Sequence, residues 1–148
     1  MYEIYRLHYN TYLSEKYMEQ GLIRRGILVL VVGDLLMIGA VTLFGFATHG
    51  SLETAGLRLL TTFLPLLAAW AAAAPALGAY DLNFAIQPRQ LWRPFWAAIL
   101  AAPLAGWLRG AWLNAPILPV FVLVLAGVSA LGILAWRSVY LILYRRKR

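Results

Sequence analysis

From Ile27 to Thr48 the chain reads ILVLVVGDLLMIGAVTLFGFAT, an apolar run broken by a single carboxylate, Asp34. An α-helix rises about 1.5 Å per residue, so roughly 20 apolar residues cross the ~30 Å hydrocarbon core of a bilayer. The run has that length, and a small soluble fold has few ways to bury it. Asp34 is then the residue to account for. A carboxylate at such depth costs on the order of 2.5–3.5 kcal/mol on insertion scales, so it should face protein or water and have a partner.

Composition extends the argument to the whole chain. Hydrophobic side chains make up 62% of the 148 residues and charged ones 13%, whereas soluble domains are nearer half apolar and a quarter charged. A membrane protein is expected. The formal charge of +7 could point to nucleic acid, but the basic residues flank apolar stretches rather than forming one folded basic face. With no cysteine there is no disulfide framework, thiolate nucleophile or thiolate metal site. The opening MYEIYRLHYNTYLSEKY lacks the short basic region and apolar core of a cleaved secretory signal.

In residues 1–22, Tyr2, Tyr5, Tyr9 and Tyr12 fall three or four apart, a spacing that puts them on one helix face. Tyrosine joins an apolar ring to a polar tip, so this segment reads as an amphipathic helix for the membrane interface or for docking on a partner. Gly21 and Gly26 are expected to bracket a turn into the first span. Residues 23–148 then form a transmembrane domain.

Four spans are expected, at about 27–48, 58–80, 95–113 and 120–140, giving an all-α, four-helix integral membrane bundle. Pro65 and Pro75 fall inside the second. Pro65 frees the Thr61 carbonyl, for which the Thr61 and Thr62 hydroxyls are candidate donors. Ala98, Ala102, Gly106 and Gly110 recur every four residues in the third, the small-xxx-small pattern that lets helix backbones approach closely. A seam within the monomer is its commoner meaning. Pro116 and Pro119 suit the start of the fourth helix.

Four spans put both termini on one side. Eleven of the thirteen Lys and Arg residues fall there, with Arg58 and Arg109 alone on the other. The positive-inside rule makes the face that holds the termini cytoplasmic. No extramembrane segment is long enough to bury a core of its own.

Arg137 lies seven residues in from Tyr144, and Asp34 seven in from Ile27. Equal depth makes an intramembrane Asp34–Arg137 ion pair the favoured reading, a structural clasp between the first and last helices. A proton or ion relay through Asp34 is the sharper alternative, although no Glu, His or Lys at that depth in the other spans would continue it. Near the opposite face, Arg109 can snorkel, pair with Glu53, or join His49 and Glu53 in an external polar cluster for an anionic headgroup or ligand.

Catalysis has little support. His8 and His49 fall on opposite sides, the six acids are scattered, and there is no phosphate loop or nucleophile elbow. No catalytic residue, metal or cofactor is predicted, although aromatic grooves could take lipid, carotenoid or quinone without a ligating side chain.

Gly33-Asp34 in the first helix, Gly45 and His49-Gly50 at its exit, Pro65, Arg109, Pro119-Val120-Phe121 and Trp136-Arg137 together carry a family resemblance. The chain resembles a prokaryotic family of four-helix integral membrane proteins, the DUF3054 family of unknown function, over roughly Arg24 to Leu143. The tyrosine-rich extension lies outside the family core, and Phe46 stands where a basic residue is expected. The resemblance implies a fold and a polar set but no reaction.

Two functions compete. One is a non-catalytic accessory or scaffold subunit of a larger membrane complex, an energy-transducing one being a candidate, with other membrane subunits and lipids as partners and no nucleic acid. The other is a small oligomeric transporter, channel or lipid-handling protein that uses Asp34 and Arg109.

Overall fold

The computed structural model of the chain describes residues 2–48 and 56–146, with side chains from Lys16 onward except those of Tyr17 and Glu19. The described residues are helical apart from short turns and irregular connections, with no strand among them. The elements are α1 (Tyr2–Thr48), α2 (Gly56–Ala76), the one-turn α3 (Leu82–Ala85), a 3-10 turn (Pro88–Gln90), α4 (Trp92–Leu113) and α5 (Pro119–Arg146).

α1 departs from expectation. The turn predicted at Gly21 and Gly26 is absent, and one helix of 47 residues runs from Tyr2 through both glycines, a length of about 70 Å. Gly21 has open space where a side chain would be, and Gly26 sits against Leu82 of α3. A glycine inside a helix costs only about 1 kcal/mol relative to alanine, too little to break a ladder that its neighbours continue. The N-terminal segment is therefore an arm continuous with the apolar part of α1. Tyr2, Tyr5, Tyr9 and Tyr12 lie on its helical backbone, and their side chains fall outside the described part.

Three helices are long and apolar enough to cross a membrane: Gln20–Thr48 within α1, Gly56–Ala76 (α2) and Pro119–Arg146 (α5). α4, expected as the third span, has the length at 22 residues, but four tryptophans, Arg93 and Arg109 dilute its hydropathy. Its apolar surface is mostly small and buried. Ala97, Ala98, Ala101, Ala102 and Ala105 are each at most 3% exposed.

α4 packs on α2 and on α5, and α1 packs on α5 and α2. The core between them combines these alanines with Ile38, Leu66, Ala69, Trp70 and Ile133. Outward, the helices are apolar: Leu36, Phe44, Leu123 and Leu131 are exposed, as are Trp92, Trp96, Trp107 and Trp112 of α4. Only 17% of the most apolar stretch of α5 is buried. Such a surface suits hydrocarbon at mid-helix and headgroups near the tryptophans.

The small-residue seam lies inside the chain where its contacts are defined. A side chain at Gly106 would meet Val122, and one at Gly110 would meet Ile117 and the Ala115 carbonyl. Asn114 ends α4 in the left-handed conformation (φ 47°), and the Ala115 N–H closes on the Gly110 carbonyl, which turns the chain towards Pro119 at the start of α5.

Both prolines of α2 are tolerated without breaking the helix. The threonines act differently from expectation. The Thr61 and Thr62 hydroxyls both donate to the Arg58 carbonyl, at 3.0 and 3.1 Å, and not to the carbonyl of Thr61. In an α-helix a threonine hydroxyl reaches back three or four residues, and Arg58 is the residue at that distance from each.

Candidate functional site

The inward face of α1 is a stripe at four-residue spacing: Leu30, Asp34, Ile38 and Thr42 are at most 3% exposed. This periodicity places Asp34 on the line of core residues, so its carboxylate has to be answered inside the protein. α5 supplies the answer. Ala130, Ile133, Arg137 and Tyr140 form its own buried row, with Arg137 2% exposed.

Asp34 and Arg137 meet in a bidentate pair. Arg137 Nε donates to Asp34 Oδ1 at 3.0 Å and Nη2 donates to Oδ2 at 2.6 Å. The third arm of the fork, Nη1, donates to the Ala79 carbonyl at 2.9 Å. The planar guanidinium can satisfy a carboxylate and a carbonyl at once, which a lysine ammonium in one position could not reproduce. One side chain thereby ties α5 to α1 and to the turn after α2.

That turn is built to present the carbonyl. Gly78 adopts φ +68°, its N–H bonds the Pro75 carbonyl, and the Ala79 N–H bonds the Ala74 carbonyl. This is a Schellman close of α2, which needs a residue tolerant of the left-handed region at Gly78. Arg93 grips the same turn from α4, donating from Nη1 to the Leu77 carbonyl at 2.8 Å and from Nε to Gln90 Oε1 at 2.8 Å. Its guanidinium lies 3.9 Å from the Phe84 ring centroid. A cavity of about 10 Å³ beside Arg93, Ala79 and Arg137 is of the size of one water.

Aromatic residues enclose the pair. The Arg137 guanidinium lies over the Tyr80 ring at 5.3 Å, and the Tyr80 hydroxyl accepts from Trp70 Nε1 at 2.9 Å. The Trp136 indole nitrogen is buried and borders the Asp34 carboxylate. A Cβ placed on Gly33 would overlap the Trp136 indole. Two adjacent couples therefore join α1 to α5: Gly33 seats Trp136, and Asp34 binds Arg137.

Arg109 is set apart from this. It is half-buried on α4, its Nε is buried without a hydrogen-bond partner, and its guanidinium lies 5.3 Å from the Phe121 ring centroid. Among the described residues no acid pairs with it. His49 and Glu53, its expected companions in the external polar cluster, lie outside the described residues.

Residues 31–140 match a protein family described as Protein of unknown function (DUF3054). The chain belongs to the DUF3054 family. Comparisons with curated proteins and with solved structures gave no match. The segment in common with DUF3054 holds both couples, the Gly78 turn, Arg93 and Arg109, and it begins after the N-terminal arm.

Sequence reasoning set Asp34 and Arg137 at one depth and did not find their neighbours. The seat of Trp136 on Gly33 and the Ala79 carbonyl were both missed. Gly78 closing an alanine-rich helix is the signal that could have located the turn. The pairing of a tryptophan with a helical glycine leaves no signature at a fixed spacing, since the two are about a hundred residues apart.

Proposed function

We propose that the chain is a non-catalytic four-helix membrane protein that serves as an accessory or scaffold subunit of a larger membrane assembly. The observation that carries this reading is the arm of α1. The helix extends from Gly26, where it meets Leu82 of α3, to Tyr2, and it continues past Gln20, where the apolar span begins, with Met18 exposed on that continuation. A helix that continues past the apolar span and carries tyrosines three and four residues apart suits a partner's groove. The arm also precedes the segment common to the family, as a feature added for a particular contact would.

In this reading α4 crosses the membrane with α1, α2 and α5, its tryptophans near the headgroups and its alanines inside the bundle. Both termini then lie on the side rich in Arg and Lys, the cytoplasmic face of a prokaryotic inner membrane. Asp34–Arg137 serves as the clasp that fixes α1 and hence the direction of the arm. Extraction in a mild detergent should yield a larger particle of constant composition. A variant lacking residues 2–19 should remain in the membrane fraction but migrate alone. A full-length protein that runs as a lone, monodisperse particle would count heavily against the proposal.

A small oligomeric transporter, channel or lipid-handling protein is the competing reading. Asp34 does not favour it, because both of its oxygens are held by Arg137 away from solvent. Arg109 keeps it in view, being a half-buried cation without an acid partner among the described residues. Liposome flux that is the same for the parent, Asp34→Asn and Arg109→Gln would remove its basis.

A further inference from the structure

We propose that the cavity beside Arg109 binds a single-chain anionic amphiphile, a fatty acid held by its carboxylate on the guanidinium with its tail along the apolar wall between α1 and α5. The cavity has a volume of about 280 Å³ and is walled by Val41, Phe44, Gly45, Phe121 and Val128, with Arg109 at its edge. A second space of about 160 Å³ is lined by Arg109, Pro116 and Ile117. Arg109 and Phe121 line both.

The chemistry of the lining selects the ligand. Three threonines reach the larger cavity, but their hydroxyl protons are already engaged: Thr42 donates to Ile38, Thr48 to Gly45 and Thr62 to Arg58. Among the described lining residues Arg109 is the donor left over, with a buried Nε that has no partner. A guanidinium presents paired N–H groups that match a carboxylate, and in an apolar setting its unmade hydrogen bonds are costly. A neutral lipid leaves them unmade, and a bare inorganic anion leaves the apolar wall uncovered.

Geometry sets the tail's direction. Arg109 lies four residues from the end of α4, about 6 Å along the axis. Val128 lies nine residues beyond the start of α5, about 14 Å along it. A head at Arg109 therefore sits near the end of the helices while the tail runs towards their middle, as an acyl chain does in a bilayer leaflet. The volume lies just below the ~300–1,000 Å³ typical of ligand pockets, which suits one chain and not two. This inference needs the membrane setting of the helices and is independent of the scaffold role of the arm.

Native mass spectrometry of the full chain, released from a neutral maltoside detergent and titrated with oleate, oleyl alcohol or inorganic phosphate, tests it. One oleate should bind per chain, with oleyl alcohol weaker by about tenfold to a hundredfold, the range expected for hydrogen bonds to a charged group. Arg109→Gln should lower oleate binding to the level of the alcohol, and Arg109→Lys should retain more of it than Gln does. Gly45→Phe places a ring where the structure has open space, and it should weaken oleate and oleyl alcohol alike without changing the melting temperature. Equal binding of oleate and oleyl alcohol would overturn the proposal, as would oleate binding unaffected by Arg109→Gln. Phosphate that displaces oleate while Gly45→Phe has no effect would also overturn it, by reducing the site to an anion contact without a tail.

Discussion

Arg137→Ala is expected to destabilise the chain by about 3–5 kcal/mol, because it leaves the Asp34 carboxylate buried with no counter-charge. It also removes the donor to the Ala79 carbonyl, so the α2 turn loses its tie to α5. Asp34→Asn should cost a similar amount, because the guanidinium, which cannot shed its proton, is then buried with no counter-charge and one of its N–H donors faces the amide NH2, although it still holds Ala79. Replacing both partners by apolar residues, as in Asp34→Leu with Arg137→Met, should recover most of the loss, since neither charge then needs compensation. Unfolding in mixed maltoside and dodecyl sulfate micelles would measure all three. If Arg137→Ala and the double variant unfold alike, the unpaired carboxylate is not the cause of the loss.

The recovery separates two meanings of a buried pair. Compared with an apolar pair of similar volume, an ion pair adds little net stability, because desolvation offsets its attraction. What it does supply is register: the fork of Arg137 accepts one rotation and one height of α1 relative to α5. With an arm extending from α1, that register also fixes where the arm points. The double variant should therefore be stable and yet assemble poorly, a combination that a purely energetic role for the pair would not produce.

The depth of Asp34 and Arg137 could be read from the chain because both sit in long apolar runs, and helical rise converts residue number into height. Rotation about each axis was legible only in part. Leu30, Ile38 and Thr42 share the stripe of Asp34, but leucines and valines surround α1 on every side, so the apolar pattern marks no inner face. In a membrane the exterior is as apolar as the core, and the usual contrast is lost. On α4 the contrast survives as size, and Ala98, Ala102, Gly106 and Gly110 stood out for that reason. The second row, Ala97, Ala101 and Ala105, is equally buried and belongs to the same pattern shifted by one residue.

The arm was misjudged for a related reason. Gly21 and Gly26 are local signals, and they were given the weight of a turn at a boundary between polar and apolar sequence. Continuity of the helix depends instead on whether either side has a better conformation available. Neither a proline nor a capping residue followed by a new start intervenes between Glu19 and Ile27. Phe84, Gln90 and Arg93 form a polar and aromatic brace around the Gly78 turn for which the sequence shows only a connecting loop, because its parts are brought together by the return of the chain from α2 to α4.

Gly33→Ala is expected to cost about 1–3 kcal/mol, the range for overpacking a filled contact, although alanine is the better helix former. The added methyl would occupy space held by the Trp136 indole, and Trp136 cannot withdraw without disturbing Arg137, its neighbour on the chain. The sign should reverse once the indole is gone. In a Trp136→Ala background the methyl meets no ring, and the helix-propensity gain of up to about 1 kcal/mol for Gly to Ala should make Gly33→Ala neutral or stabilising. Thermal unfolding of the two single variants and the double variant forms the cycle that tests this. A cost for Gly33→Ala that persists in the absence of Trp136 would mean that the glycine serves some other close approach. Reversal would establish that Gly33 is small because α5 places an indole there, making the spacing of the helices, and with it the reach of Arg137 to Asp34, a consequence of one missing side chain.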